Sequence, residues 1–269
     1  MLAIDHPPLR LALVALAAMA AGAVNAIAGG GTLLTFPALV ALGIDPLVAN
    51  ATSTVALWPG TLSSMWGYRD AMRGARAWAV QWALPSVLGG LTGALLLLRT
   101  PATRFAAIVP FLVLGATVLF MAQRALVQVI QRRRGPLTAI PPDDAPGAIL
   151  PPPPRIFLLF QALIGVYGGY FGAGIGILML AALGLMGLSD IHRMNGLKNW
   201  GGLCTNAVAV AVFAASGIVD WPVAVTMGVA AIAGGGLGAK LAQRVPQRLV
   251  RQSIVAIGLG SAVWLFVSR

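Results

Sequence analysis

Ten apolar runs separated by short polar joints leave this chain few ways to fold. They cover residues 11–28, 31–43, 47–67, 77–98 and 105–123, then 156–173, 175–188, 199–219, 221–239 and 252–267. A helix crosses the ~30 Å hydrocarbon core of a bilayer with ~20 residues. Several runs reach that length, whereas 31–43 and 175–188 fall short. Only 9% of the 269 residues are charged, against roughly 25% in a soluble domain. Too few polar side chains remain to cover a water-facing surface. The pattern predicts an all-α integral membrane protein.

The formal net charge of +11 does not point to nucleic acid. A nucleic-acid-binding chain gathers its basic residues on a soluble face. Here they lie between apolar runs, as in membrane loops. Cys204 is the single cysteine, which excludes a disulfide within the chain and argues against a cysteine-built metal site. Arg10 followed by an apolar run imitates a secretory signal. The matching run at 156–173 is internal, so the first run is expected to stay in the mature protein.

The two sets of runs are copies. Sliding the chain on itself by 145 residues, without a gap, lays "AGGGTLL" (28–34) on "AGIGILM" (173–179). In the same register Asp45 meets Asp190 and Asn50 meets Asn195. Gly89, Gly90, Gly93, Ala94, Arg99 and Pro101 meet Gly234, Gly235, Gly238, Ala239, Arg244 and Pro246. Glycine and alanine coincide easily in such a composition; Asp, Asn, Arg and Pro do not. We therefore divide the chain into a first transmembrane repeat, 1–130, a linker, 131–155, and a second repeat, 156–269. The linker, "QRRRGPLTAIPPDDAPGAILPPPPR", is proline-rich and charged, a composition expected to be semi-extended or disordered.

Loop charge sets an expected orientation, because cytoplasmic loops collect Lys and Arg. Arg132, Arg133 and Arg134 place the linker inside, and counting outward puts Arg69, Arg73 and Arg76 inside too. In the second repeat Arg193, Lys240, Arg244, Arg248 and Arg251 fall inside. Both termini come out external, periplasmic in a bacterial cell. An odd number of crossings per copy makes the repeats inverted, as in many secondary transporters. Residues 11–43 and 156–188 read either as two full spans or as re-entrant, broken-helix hairpins. The short second arm favours the hairpin.

Each glycine costs a helix roughly 1 kcal/mol relative to alanine. The break "AIAGGGTLL" therefore calls for a reason. Backbone that leaves the helix inside a membrane is tolerated where it is buried in protein or lines a watery cavity. Such a turn frees N–H groups at the start of the next helix, where the dipole also favours an anion. Gly29, Gly30, Gly31 and Thr32 in the first copy, and Gly174 and Gly176 in the second, are candidate substrate-binding residues on this argument. Gly89, Gly90, Gly93 and their mates read instead as packing positions. A second constellation pairs "NATST", with Asn50, Thr52 and Ser53, with "NGLKN", with Asn195, Lys198 and Asn199. Amides and hydroxyls here either bond neighbouring helices or face a site. Lys198, ionisable within a membrane segment, favours the site; its alternative is snorkelling to the surface. Tyr167 and Tyr170 are further candidate donors. Asp45 and Asp190 read as helix-start residues rather than proton carriers.

The stretch "NAIAGGGTLLTFPALVALGIDPLVANATSTVAL" resembles the first-repeat signature of the TauE/SafE family of membrane transporters, and "GGYFGAGIGILML…NGLKN" its second-repeat counterpart. The likeness spans nearly the whole chain outside the linker. It implies export of small sulfur oxyanions such as sulfite, sulfoacetate or other organosulfonates across the inner membrane. A different small anion, such as sulfate or a carboxylate, and an anion channel remain open. A membrane enzyme is the weaker reading, since His6 and His192 fall in expected loops and neither HExxH nor GxSxG occurs. No Walker-type GxxxxGK[ST] run is present either, so ATP drive would need a partner chain. The expected partners are a small-molecule anion and the lipid bilayer, with a homodimer left open. No nucleic acid, cofactor or metal is expected.

Overall fold

The computed structural model describes residues 7–27, 29–134, 149–241 and 247–267. Among these, the regular structure consists of ten helices, one for each apolar run. They are α1 (Pro7–Ile27), α2 (Thr32–Ala41), α3 (Pro46–Gly67), α4 (Arg76–Arg99), α5 (Ala102–Arg134), α6 (Arg155–Tyr170), α7 (Ile175–Leu185), α8 (Ile191–Ser216), α9 (Trp221–Leu241) and α10 (Gln247–Val267). In the described residues α1, α4, α5 and α9 hold stretches long and apolar enough to cross a membrane. The helices α2 and α7 are short, with 10 and 11 residues.

Local chemistry sets the helix starts. The Asp45 carboxylate accepts from Leu47 N at 2.9 Å, with Pro46 at the first helical position of α3. Asp190 does the same for α8, accepting from His192 N at 2.9 Å. A capping oxygen there satisfies a backbone donor the helix itself cannot. This cap is why α8 begins well before its apolar run and carries "NGLKN" in its first turns. Both aspartates are spent on backbone, as their place in the sequence suggests.

Helix order and packing both follow the 145-residue register. The paired helices α3 and α8, α4 and α9, and α5 and α10 start at positions 46 and 191, 76 and 221, and 102 and 247. The largest interfaces are α1 on α9 and α4 on α6, which the register interchanges, as it does α3 on α9 and α8 on α4. The first helix of each copy thus lies against the fourth helix of the other. Lipid offers no hydrophobic drive for such contacts, so close van der Waals approach must hold them. Glycine supplies it. A Cβ at Gly89 or Gly93 would overlap the carbonyl of Ala162 or Val166 on α6, and one at Gly234 would overlap Met19 O on α1. Along α4 the outer face carries Val80, Leu84 and Leu88, all exposed, while Trp78, Trp82, Ser86 and Gly89 are buried. Aliphatic side chains face out and small or aromatic ones face the bundle.

The helices α3 and α8 meet centrally, with Trp58 Nε1 donating to Leu203 O at 3.2 Å. Those positions are equivalent in the 145-residue register. In the first copy α2 doubles back along α1. Gly31 packs against Ala21, and Arg10 Nη2 donates to Leu42 O at 2.6 Å, just past the end of α2. Within the expected linker, residues 131–134 continue α5 to Arg134, and residues 149–154 are fastened to the bundle. Leu150 N donates to Gly74 O at 3.0 Å, and Trp78 Nε1 donates to Pro151 O at 2.6 Å. Trp78 and Leu150 join Trp82 and Phe157 in one buried cluster.

Candidate functional site

The two glycine turns are built alike and finished differently. After α1 the chain reverses through Gly29 and Gly30, at φ of 69° and 129°. The second value lies where only glycine is at ease. Asn25, in the last turn of α1, folds its side chain over this reversal. Its Oδ1 accepts from Gly30 N at 3.1 Å and from Gly31 N at 2.8 Å. After α6 the chain turns through Gly172 and Gly174, at φ of 77° and 80°. Here no side chain takes the place of Asn25; Ile175 N donates to Gly172 O at 3.3 Å and Ile177 N to Gly174 O at 2.9 Å. The position matching Asn25 is Tyr170, whose hydroxyl lies 3.3 Å from Thr100 Oγ1. Tyr167 OH donates to Ala173 O at 2.7 Å. Both tyrosines brace the second turn.

The turns touch each other. A Cβ on Gly29 would come within 2.7 Å of Gly176 Cα, and one on Gly176 within 2.9 Å of Gly29 Cα. Beside this contact Lys198, 3% exposed, reaches from α8 to the end of α1. Its Nζ donates to Asn25 O at 2.7 Å and to Ala26 O at 3.4 Å. Carbonyls at a helix C-terminus carry partial negative charge, which suits a cation. Among the described residues no carboxylate pairs with Lys198. An ammonium has three donors, so one remains for another acceptor.

A cavity of about 330 Å³, counted to its open mouth, lies at this junction. Its polar wall is Asn25, Thr61, Lys198, Asn199 and Asn206; Gly29, Gly176 and Gly202 give room, and Ile175 and Met179 close the apolar side. Asn199 Nδ2 and Asn206 Oδ1 are buried without a hydrogen-bond partner. The unpaired Asn199 donor, Lys198 and the helix start at Gly176 form a surface suited to a small anion, while Asn206 Oδ1 offers an acceptor.

Four of the residues singled out in the sequence meet here: Gly29, Gly176, Lys198 and Asn199. The rest do not line the cavity. Gly30 and Gly31 give their N–H groups to Asn25, Thr32 starts α2, and Gly174 precedes α7. Asn50 Nδ2 donates to Tyr170 O at 3.1 Å. Thr52 Oγ1 accepts from Asp220 N at 3.0 Å, and Ser53 Oγ lies 2.6 Å from Thr35 Oγ1. Asn195 is buried with Oδ1 unpartnered. The residues missed are Asn25, Thr61 and Asn206. The last two are equivalent under the 145-residue register, a signal the sequence did hold. Asn25 is the one amide in the final turn before the glycines.

Broken helices meeting around a buried basic pocket, inside a bundle of apolar helices, are the construction of a membrane transport protein. The chain belongs to the sulfite exporter TauE/SafE family, whose profile matches residues 14–265. It is similar to the probable membrane transporter protein ORF9 of Sinorhizobium sp., with 30% identity over 259 residues, 95% of this chain and 92% of that one. It is also similar to a probable membrane transporter protein of Haemophilus influenzae, with 28% identity over 91% of this chain and 90% of that one. The probable membrane transporter protein YfcA of Escherichia coli K12 matches at 29% identity, over 93% and 87%. The chain is a membrane transporter and not an enzyme.

Proposed function

We propose that this protein is a secondary transporter exporting small sulfur oxyanions, such as sulfite, sulfoacetate or other organosulfonates, across the bacterial inner membrane. The observation that carries the reading is the cavity where Lys198, the unpartnered Asn199 Nδ2 and Gly176 at the start of α7 converge. The anion lies between the turns Gly29–Thr32 and Gly174–Gly176. Its oxygens accept from the amide of Asn199, from Lys198 and from the Gly176 N–H in the first turn of α7. Most of these donors are neutral, which suits a carrier that must release its cargo. Lys198 draws the anion in, because a focused positive potential raises local anion concentration.

The orientation belongs to the same proposal. The repeats 1–130 and 156–269 are inverted relative to each other, 131–155 faces the cytoplasm and both termini face the periplasm. Loop charge supports this, as does the interchange of helix partners between copies. The test is uptake into proteoliposomes across a panel of sulfite, sulfoacetate, sulfate and a carboxylate. Saturable flux with counterflow for the sulfur oxyanions is the expected result. Transport of carboxylate alone overturns the substrate class, and flux that never saturates overturns the carrier.

A further inference from the structure

The glycine turns hold matching places in the two repeats, so symmetry alone would give each a ligand. One side chain separates them. On the first turn two N–H groups, of Gly30 and Gly31, close on a single oxygen, Asn25 Oδ1, at 3.1 and 2.8 Å. That is the arrangement an oxyanion oxygen takes when backbone N–H groups cradle it at a helix start. On the second turn no side chain accepts from the equivalent groups: Ile175 N donates to Gly172 O at 3.3 Å, which leaves the Gly176 N–H for a ligand, and Tyr170, at the matching position, turns its hydroxyl to Thr100. Asn199, 4% exposed, lines the cavity beside that start with Nδ2 unpartnered.

We propose that Asn25 is a resident stand-in for a ligand oxygen: it fills the first glycine turn, so that each chain seats one oxyanion group, on the second turn. This rests on the anion-transport reading and assigns its site a stoichiometry and a positioning residue. A neutral amide fits the role better than a carboxylate. It satisfies two donors without setting a negative charge against the arriving anion. The same residue gives its backbone carbonyl to Lys198 at 2.7 Å, so the filled turn and the lysine are fixed by one helix end. Gly29, between them, touches Gly176 and forms the shared wall. Asn25 thus positions three parts of the site while leaving one seat open.

The experiment uses the full chain in lipid nanodiscs with methanesulfonate as probe. Calorimetric titration should give one equivalent bound to the wild type and two to Asn25→Ala, whose first turn is vacated. Asn25→Asp keeps an acceptor on the turn and should remain at one equivalent, with affinity lowered about tenfold or more by charge repulsion. A structural role alone would not raise the stoichiometry. Two equivalents in the wild type, or Asn25→Ala at one equivalent with wild-type affinity, overturns the proposal. If Asn25→Ala does not fold, the wild type labelled with 15N-glycine decides. Saturating methanesulfonate should move the Gly176 amide resonance and leave Gly30 and Gly31 in place; movement of Gly30 and Gly31 overturns the idea. No binding by the wild type, by either method, instead removes the anion site itself.

Discussion

Replacing Gly176 with alanine adds one methyl group where the two glycine turns touch. Its Cβ would stand 2.9 Å from Gly29 Cα and 3.2 Å from Lys198 Cδ, where ordinary contact begins at 3.4 Å. The lysine stem can flex. The Gly29 backbone cannot, because it is held between the end of α1 and the turn stapled by Asn25. From 2.9 to 3.4 Å, Gly29 must retreat by about 0.5 Å or α7 must tilt away. Overpacking of this kind costs about 1–3 kcal/mol of stability. A binding constellation tolerates displacement of only about 0.5 Å. Loss of one charge-assisted hydrogen bond, about 1.5–3 kcal/mol, then weakens the anion ten- to a hundredfold. The control is Gly234→Ala, whose Cβ would overlap Met19 O between α9 and α1, away from the cavity. It should lower the melting temperature of the purified protein yet keep wild-type affinity for sulfite in the folded fraction. Gly176→Ala should lose both. Wild-type affinity in folded Gly176→Ala would refute the site as drawn and leave the glycine contact a matter of packing alone.

Lys198→Met keeps the stem and removes the donors to Asn25 O and Ala26 O; sulfite affinity should fall by about ten- to a hundredfold, and unchanged proteoliposome uptake would contradict the role given to this residue. Asn206→Leu closes the polar wall with a side chain of similar size, so binding should weaken while the melting temperature holds or rises. Trp78→Phe deletes the 2.6 Å bond to Pro151 O but keeps the ring packed; a stability loss of about 1 kcal/mol is expected, and none would mean that residues 149–154 are not fastened by it. Single cysteines within 135–148, on a Cys204-free background, should react with an impermeant reagent only from the cytoplasmic side, and reaction from outside intact cells would reverse the proposed orientation.

The helices were legible because a bilayer admits few alternatives: an apolar run in hydrocarbon has to satisfy its own backbone. Asp45 and Asp190 marked two starts, and the glycines marked the breaks before α2 and α7. The site was harder, since sequence neighbours on a helix point in different directions. Successive residues turn by about 100°, so Thr52 lies nearly opposite Asn50, although Ser53, three residues on, shares the side of Asn50. They reach Tyr170, Asp220 and Thr35 respectively. The residues that do share a face are Lys198, Gly202 and Asn206, at steps of four along α8, with Asn199 beside them. Reading "NGLKN" as a block found the start of that stripe and missed its continuation. Asn25 was hidden for another reason. A lone amide in an apolar run reads as a bond between helices, and only the reversal after Ile27 brings Gly30 and Gly31 onto it.

The polar atoms left unpaired at the cavity follow from a comparison of magnitudes. A hydrogen bond between helices in a membrane contributes about 0.6 kcal/mol on average, whereas a buried polar group without a partner costs about 1–3 kcal/mol. Asn50 and Gln161 each leave one oxygen unpaired but donate through the amide nitrogen, to Tyr170 O and Ser86 Oγ. Asn199 and Asn206 make no side-chain hydrogen bond among the described residues, though Asn199 is 4% exposed. Leucine at either place would relieve the cost and pack as well against Met179 and Ile175. Stability therefore does not account for these amides, and the occupant proposed for the cavity would. Lys198 and the Asn199 donor favour an anionic occupant, whereas Asn206 Oδ1 would accept from a group that carries a proton. The two turns hold matching places in the 145-residue register; Asn25 takes the Gly30 and Gly31 N–H groups of the first, and no side chain does so at the second, where Ile175 N and Ile177 N turn to Gly172 O and Gly174 O.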